Sequence, residues 1–181
     1  LKPIILGKEG DVKIKGTCND LTKAIVSSKI NQAYKNLEEK LATLKQEVGK
    51  KMQELQNAKS DEATQRMAIF EMGEIDDKRI ALLNEYKDKN ALLGEVAALN
   101  TYLSFQNSTG SYYTEIDYFA NQFFQFADFK NPYYSHNPWV YESFKEYATT
   151  LSISGIDPLL HQSYLDDALS KIKSNTHGYQ L

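Results

Sequence analysis

Three histidines, His136, His161 and His177, and one cysteine, Cys18, are the side chains best suited to metal binding or nucleophilic chemistry. Their spacing argues against both. No two histidines lie a helical turn apart, and none follows a glutamate by three residues, so the usual ligand sets of zinc sites and di-iron bundles are missing. A lone cysteine forms no intramolecular disulfide, and nothing around Cys18 resembles a nucleophile elbow. Pairing of Cys18 with His136 or His161 is the one nucleophile–base arrangement left open; a small unreactive side chain is the simpler reading. Glu71, Glu74 and Asp77 recur every three residues beside Lys78 and Arg79, and are expected to form a solvated charged stretch rather than a cation site. Gly7-Lys8-Glu9-Gly10 lacks the spacing of a phosphate loop and reads as a turn. Asn107-Ser108-Thr109 fits the N-glycosylation triplet, which matters only in a secretory setting. The sequence therefore assigns no catalytic, cofactor-binding or metal-ligating residue, and no cofactor is expected.

The remaining chemical signal is aromatic. From Tyr112 to Tyr147 the rings are dense. The leading expectation is core packing of a small helical lobe, since each ring buries much area and a tyrosine can keep its hydroxyl wet. A second reading is an interaction surface for a partner or a glycan, built from Tyr133, Tyr134, His136 and Trp139, because Tyr and Trp are favoured at binding hot spots. A third is a membrane-interface face made of Phe119, Phe123, Phe124 and Phe126. Against it, Glu115, Asp117 and Asp128 accompany those rings with no basic residue among them, and anionic lipid would repel such a face.

These residues need elements to hold them. Residues 1–18 read as an extended or β-hairpin arm: Pro3-Ile4-Ile5-Leu6, then a turn, then the alternating Asp11-Val12-Lys13-Ile14-Lys15. Strand is expected only there. Asn19-Asp20 then reads as a helix cap. Ile30, Tyr34, Leu37, Leu41, Leu44, Val48, Leu55 and Ala58 follow at spacings of four and three, interrupted by Lys51. That is a heptad seam, in which Leu37, Leu41, Leu44, Val48 and Leu55 form the candidate helix interface. Glu47 and Lys51 have the spacing of a helical ion pair. Ser60-Asp61-Glu62 is a second helix start, which favours a tight connection near 57–60 over one continuous helix. The second helix is expected to run to about Phe105, with Met67, Phe70, Ile75, Ile80, Leu82, Leu83, Tyr86, Leu93, Val96, Ala97, Leu99 and Leu103 inward. Residues 19–107 thus form a long helical hairpin. Residues 112–174 form an aromatic-rich lobe of three helices: one over about 113–129, one opened by Asn137-Pro138, and one opened by Asp157-Pro158. Inward positions include Ile116, Phe119, Ala120, Phe123 and Ala127, then Val140, Tyr141, Phe144, Ala148 and Leu151, then Leu160, Tyr164, Leu165, Ala168, Leu169 and Ile172. Residues 175–181 read as a tail.

The expected fold is all-α: a long antiparallel helical hairpin packed with a smaller aromatic lobe and preceded by a short β-like arm. A net charge of −3 supplies no strong field for a phosphate backbone, which disfavours nucleic acid. No apolar run is long enough to span a bilayer, and membrane insertion is disfavoured. No signal peptide is present at Leu1, which leaves cytoplasmic and secreted or periplasmic locations both open. The pattern points to a non-enzymatic structural or protein-interaction protein, either a subunit of an assembly or a surface or secreted binding protein, with a protein partner or self-association. The alternatives are an enzyme of unfamiliar type with a site in the aromatic lobe near His136 or His161, and a membrane-active helical protein.

Overall fold

The computed structural model describes residues 4–6, 12–17, 19–59, 61–134 and 137–173. Helix makes up 70% of them, in six helices, with one two-stranded antiparallel sheet near the N-terminus. The all-α class, the long hairpin and the aromatic lobe are as the sequence predicts. The chain divides into two compact units, residues 1–43 and 44–181.

In the first unit, β1 (Lys13–Thr17) pairs antiparallel with β2 (Asp20–Ser27). Lys13 faces Ser27, Ile14 faces Val26 and Lys15 faces Ile25, with a bulge between Lys15 and Thr17. Gly16 permits this pairing: a Cβ there would lie 3.0 Å from that of Ala24. Strand thus extends beyond residue 18, and Asp20 opens a strand rather than a helix. The β-branched Ile25 and Val26 suit a pleated ribbon, and pairing with β1 overrides the cap signal. The helix begins nine residues later. Ser28 accepts from the Asn31 N–H at 3.2 Å, as a capping side chain should, and α1 runs Lys29–Asn57. Asn31 also clamps the extended residues 4–6, accepting from the Ile5 N–H at 2.9 Å and donating to its carbonyl at 2.7 Å. Among the described residues of this unit, Ile5, Ala24, Ile30, Tyr34 and Leu37 are the buried apolar ones.

The second unit holds the rest of α1, from Leu44, and α2 (Glu62–Lys89). Lys59 takes a positive φ of 31° in the connection. Asp61 caps α2, accepting from the N–H groups of Ala63 and Thr64 at 3.1 and 3.2 Å. The helices run antiparallel, as two ion pairs show: Lys51 to Glu71 at 2.7 Å and Lys78 to Glu47 at 3.8 Å. The expected Glu47–Lys51 pair gives way to these, because Lys51 also bonds Glu54 at 2.8 Å. The bonds from Glu54 and then Glu71 push the Lys51 amine up to about 12.

The second long helix does not run unbroken to Phe105. It breaks at Asn90, whose extended backbone ends α2 and whose side chain caps α3 (Ala91–Leu99). Asparagine competes with the helical backbone for hydrogen bonds, and Gly94 lets α3 fold closely back: a Cβ at 94 would stand 2.8 Å from the Lys87 Cα. The buried stripe of α2 is also displaced. Ala68, Met72 and Ile75 are buried, whereas Met67 and Phe70, expected inward, are 58% and 63% exposed.

In the lobe, α4 (Glu115–Gln122) is shorter than expected and hands over to turns that place Phe123 and Phe124 in the core. These two rings are therefore not a membrane face, and no helix among the described residues is long and apolar enough to cross a membrane. Asn137 caps α5 (Pro138–Ile153). Asp157 accepts from the Leu159 N–H at 2.8 Å at the start of α6 (Pro158–Lys173). Phe124 stacks on Phe144 at 4.5 Å and Phe119 on Tyr147 at 5.6 Å. Tyr147, rather than the expected Tyr141, enters this core; Tyr141, Leu160 and Leu169 stay exposed. The Tyr147 hydroxyl lies 3.0 Å from the Ala120 carbonyl and 3.2 Å from that of Tyr164, and burial raises its pKa.

Candidate functional site

The second unit carries an open cleft of about 740 Å³. One wall is a face of α2: Phe70, Gly73, Glu74, Asp77 and Ile80, at the spacing that puts residues on one side of a helix. The second wall is the segment from Leu103 to Tyr112, and the third is Tyr118, Gln122 and Gln125.

Two charged residues in the inner stripe of α2 fasten the second wall. Asp76, 6% exposed, accepts from the Ser104 N–H at 2.9 Å and the Ser104 hydroxyl at 3.2 Å. Arg79 lies 3.3 Å from Asp76 and donates to the Tyr102 carbonyl. Desolvation raises the Asp76 carboxyl above the ordinary carboxylate range, against the opposing pull of Ser104 and Arg79. The same burial lowers Arg79. Farther along the wall, Asn107 donates to the Ile69 carbonyl at 3.2 Å, over the gap that Gly73 leaves open. Gly110 has no room for a Cβ, which would meet the Tyr112 ring at 2.2 Å. That ring stands edge-on to Tyr118 at 5.1 Å, and Gln122 donates to its hydroxyl at 2.5 Å. Burial raises Tyr118 as well.

The buried polar groups of the cleft are thus engaged with one another and hold its shape. Its mouth differs. Phe70 is mostly exposed there, and the exposed carboxylates of Glu74 and Asp77 have no ion-pair partner among the described residues. An exposed ring beside unpaired carboxylates can take an apolar side chain and a neighbouring cation together.

The residues singled out from sequence scatter. Tyr134 is 1% exposed, with its hydroxyl 3.4 Å from the Glu95 carbonyl, so it belongs to the core and not to a surface. The single helical turn at Pro132–Tyr134 turns that ring inward and leaves Tyr133 half-exposed. Trp139 lines a separate groove on α5. His136, Cys18 and His177 lie outside the described residues. His161 is on α6, with its Nε2 buried and without a hydrogen-bond partner among the described residues. Of the acidic trio, Glu74 and Asp77 line the cleft, whereas Glu71 is held by Lys51. Along the seam, Leu37 and Leu44 are buried and Leu41, Val48 and Leu55 partly so. Sequence reasoning missed Asp76 and Arg79. Their signal was two charges three residues apart on the stripe that carries Met72, Ile75 and Leu83. No known protein family, curated protein or solved structure matches this chain.

Proposed function

We propose that this is a non-enzymatic interaction protein, with the long hairpin as scaffold and the α2 cleft as docking surface for a protein segment that presents an apolar side chain flanked by basic residues. Phe70, 63% exposed at the cleft mouth beside Glu74 and Asp77, carries this reading. Aromatic rings at the centre of such surfaces supply much of the binding energy, and complementary charge supplies selectivity and speed of association. Acids outnumber bases across residues 44–181, which suits a basic partner.

The test is selection of a random peptide library on the wild-type protein with counter-selection on Phe70→Ser. Enriched peptides should carry an aromatic or aliphatic anchor next to Lys or Arg. They should bind at least about tenfold more weakly to Phe70→Ser, a loss of ~1.4 kcal/mol, and binding to Glu74→Gln/Asp77→Asn should lose its salt dependence. Peptides without basic flanks, or binding indifferent to these changes, would overturn the reading.

A further inference from the structure

We propose that the segment received by the α2 cleft is the β1–β2 ribbon of a second copy of this chain, so that copies join head to tail. The inference rests on the docking role proposed for the cleft and names its partner.

The ribbon carries the complement of the cleft. Cross-strand partners project to one face of a sheet, so Lys15 and Ile25, which pair, stand side by side. Lys13, two residues from Lys15, shares that face by strand alternation. Ile25 is 64% exposed. Lys13 and Lys15 are exposed, with no ion-pair partner among the described residues. Lys23 flanks Ile25 on the same face and is held by Asp20 at 2.9 Å. Ile14, the other exposed isoleucine of the ribbon, lies on the opposite face with its partner Val26 and the buried Ala24.

The spacings and the charges agree. Lys13 and Lys15 stand ~7 Å apart along their strand, and Glu74 and Asp77 ~5–6 Å apart on α2. In each patch the charged pair borders one exposed apolar side chain, Ile25 in the ribbon and Phe70 in the cleft. No Lys or Arg lines the cleft, and its third carboxylate, Asp76, is taken up by Ser104 and Arg79. The chain is divided in the same sense. Residues 1–43 hold eight basic and five acidic residues, a net charge of +3, and residues 44–181 hold 13 basic and 19 acidic, a net charge of −6. Opposite potentials of this kind steer encounter and fix register. Because the two patches differ, the contact is heterologous: each copy gives its ribbon to one neighbour and its cleft to the same or another, in a closed ring or an open chain.

Sedimentation velocity of the full chain at low salt tests this over ~1 µM to ~1 mM, where moderate and weak complexes form. Wild type should associate as concentration rises, and ~1 M NaCl, which screens exposed charges beyond about 3 Å, should return it toward monomer. Lys13→Thr/Lys15→Thr/Ile25→Thr in the ribbon and Phe70→Ser/Glu74→Gln/Asp77→Asn in the cleft should each weaken self-association at least about tenfold, with unchanged circular dichroism. Mixed in equal amounts, the two variants should form a dimer and nothing larger, since one intact ribbon then meets one intact cleft. Wild type that stays monomeric throughout, variants that associate as wild type does, or a mixture that stays monomeric would overturn the inference. The peptide selection on Phe70 separates it from the role on which it rests. Basic, apolar peptides that require Phe70, found while wild type stays monomeric, would keep the docking surface and remove self-association. Peptides and copies both indifferent to Phe70 would remove both.

Discussion

The Asp76 carboxylate holds Ser104 twice, taking its backbone N–H at 2.9 Å and its hydroxyl at 3.2 Å. Ser104 lies 28 positions along the chain from Asp76, and the bonds pin one wall of the cleft to α2. Arg79 completes the arrangement at 3.3 Å. Asp76→Ala removes the acceptor and leaves the Arg79 cation buried and uncompensated. The expected loss is about 3–5 kcal/mol, the usual result of breaking a buried pair from one side. Urea denaturation measures it; a loss within the range of surface substitutions would mean that Asp76 does not fasten the wall.

The same carboxylate has a pH signature. Its folded pKa is raised, chiefly by desolvation. The folded state therefore binds this proton more tightly than the unfolded chain does. The stability it contributes is fully present below the unfolded pKa and is lost as pH rises through the folded pKa. The stability difference between wild type and Asp76→Asn should accordingly fall with rising pH from the ordinary carboxylate range upward and then level off. A difference that grows with pH would contradict the desolvated carboxylate.

Asn137 accepts from the Trp139 N–H at 2.9 Å and donates to the Tyr133 carbonyl at 3.3 Å. It caps α5 and holds the Tyr133 carbonyl. Asn137→Ala should cost about 1–2 kcal/mol, the range for lost caps, read as a lower denaturation midpoint. An unchanged midpoint would remove the cap from the account.

Gly49 sits on the exposed side of α1, and a Cβ there would meet nothing within 4 Å. Gly49→Ala should stabilise the protein by up to about 1 kcal/mol, because alanine restricts the unfolded chain and favours helix. Thermal melting checks this, and destabilisation would contradict it.

Features set by local chemistry were legible in the sequence. Asn137-Pro138 and Asp157-Pro158 mark α5 and α6 because cap and proline act within one turn. Asp61 marks α2 for the same reason, and the seam from Ile30 to Ala58 gives the long helix. Features decided by distant partners were not. Asp20 has the chemistry of a cap but lies in β2, because β1 is there to pair with it. Tyr133 and Tyr134 are adjacent and alike, and only the turn they occupy decides which ring is buried. In the cleft, Glu74 and Asp77 stood out by their spacing. Asp76 did not, because its role depends on Ser104, whose position follows from the break at Asn90 and the end of α3.

Photo-cross-linking from position 70 tests most directly whether the cleft at Phe70 docks a basic, apolar protein segment. A benzophenone amino acid replaces Phe70 in one preparation and the exposed Ala81 of the same helix in another, and each is irradiated in extract of the producing cell. A docking surface there should give one dominant adduct from position 70, absent from position 81 and suppressed by excess unlabelled wild-type protein. Its cross-linked peptide should carry Lys or Arg beside an apolar residue. No adduct from position 70, the same adducts from both positions, or a cross-linked peptide that is acidic would contradict it.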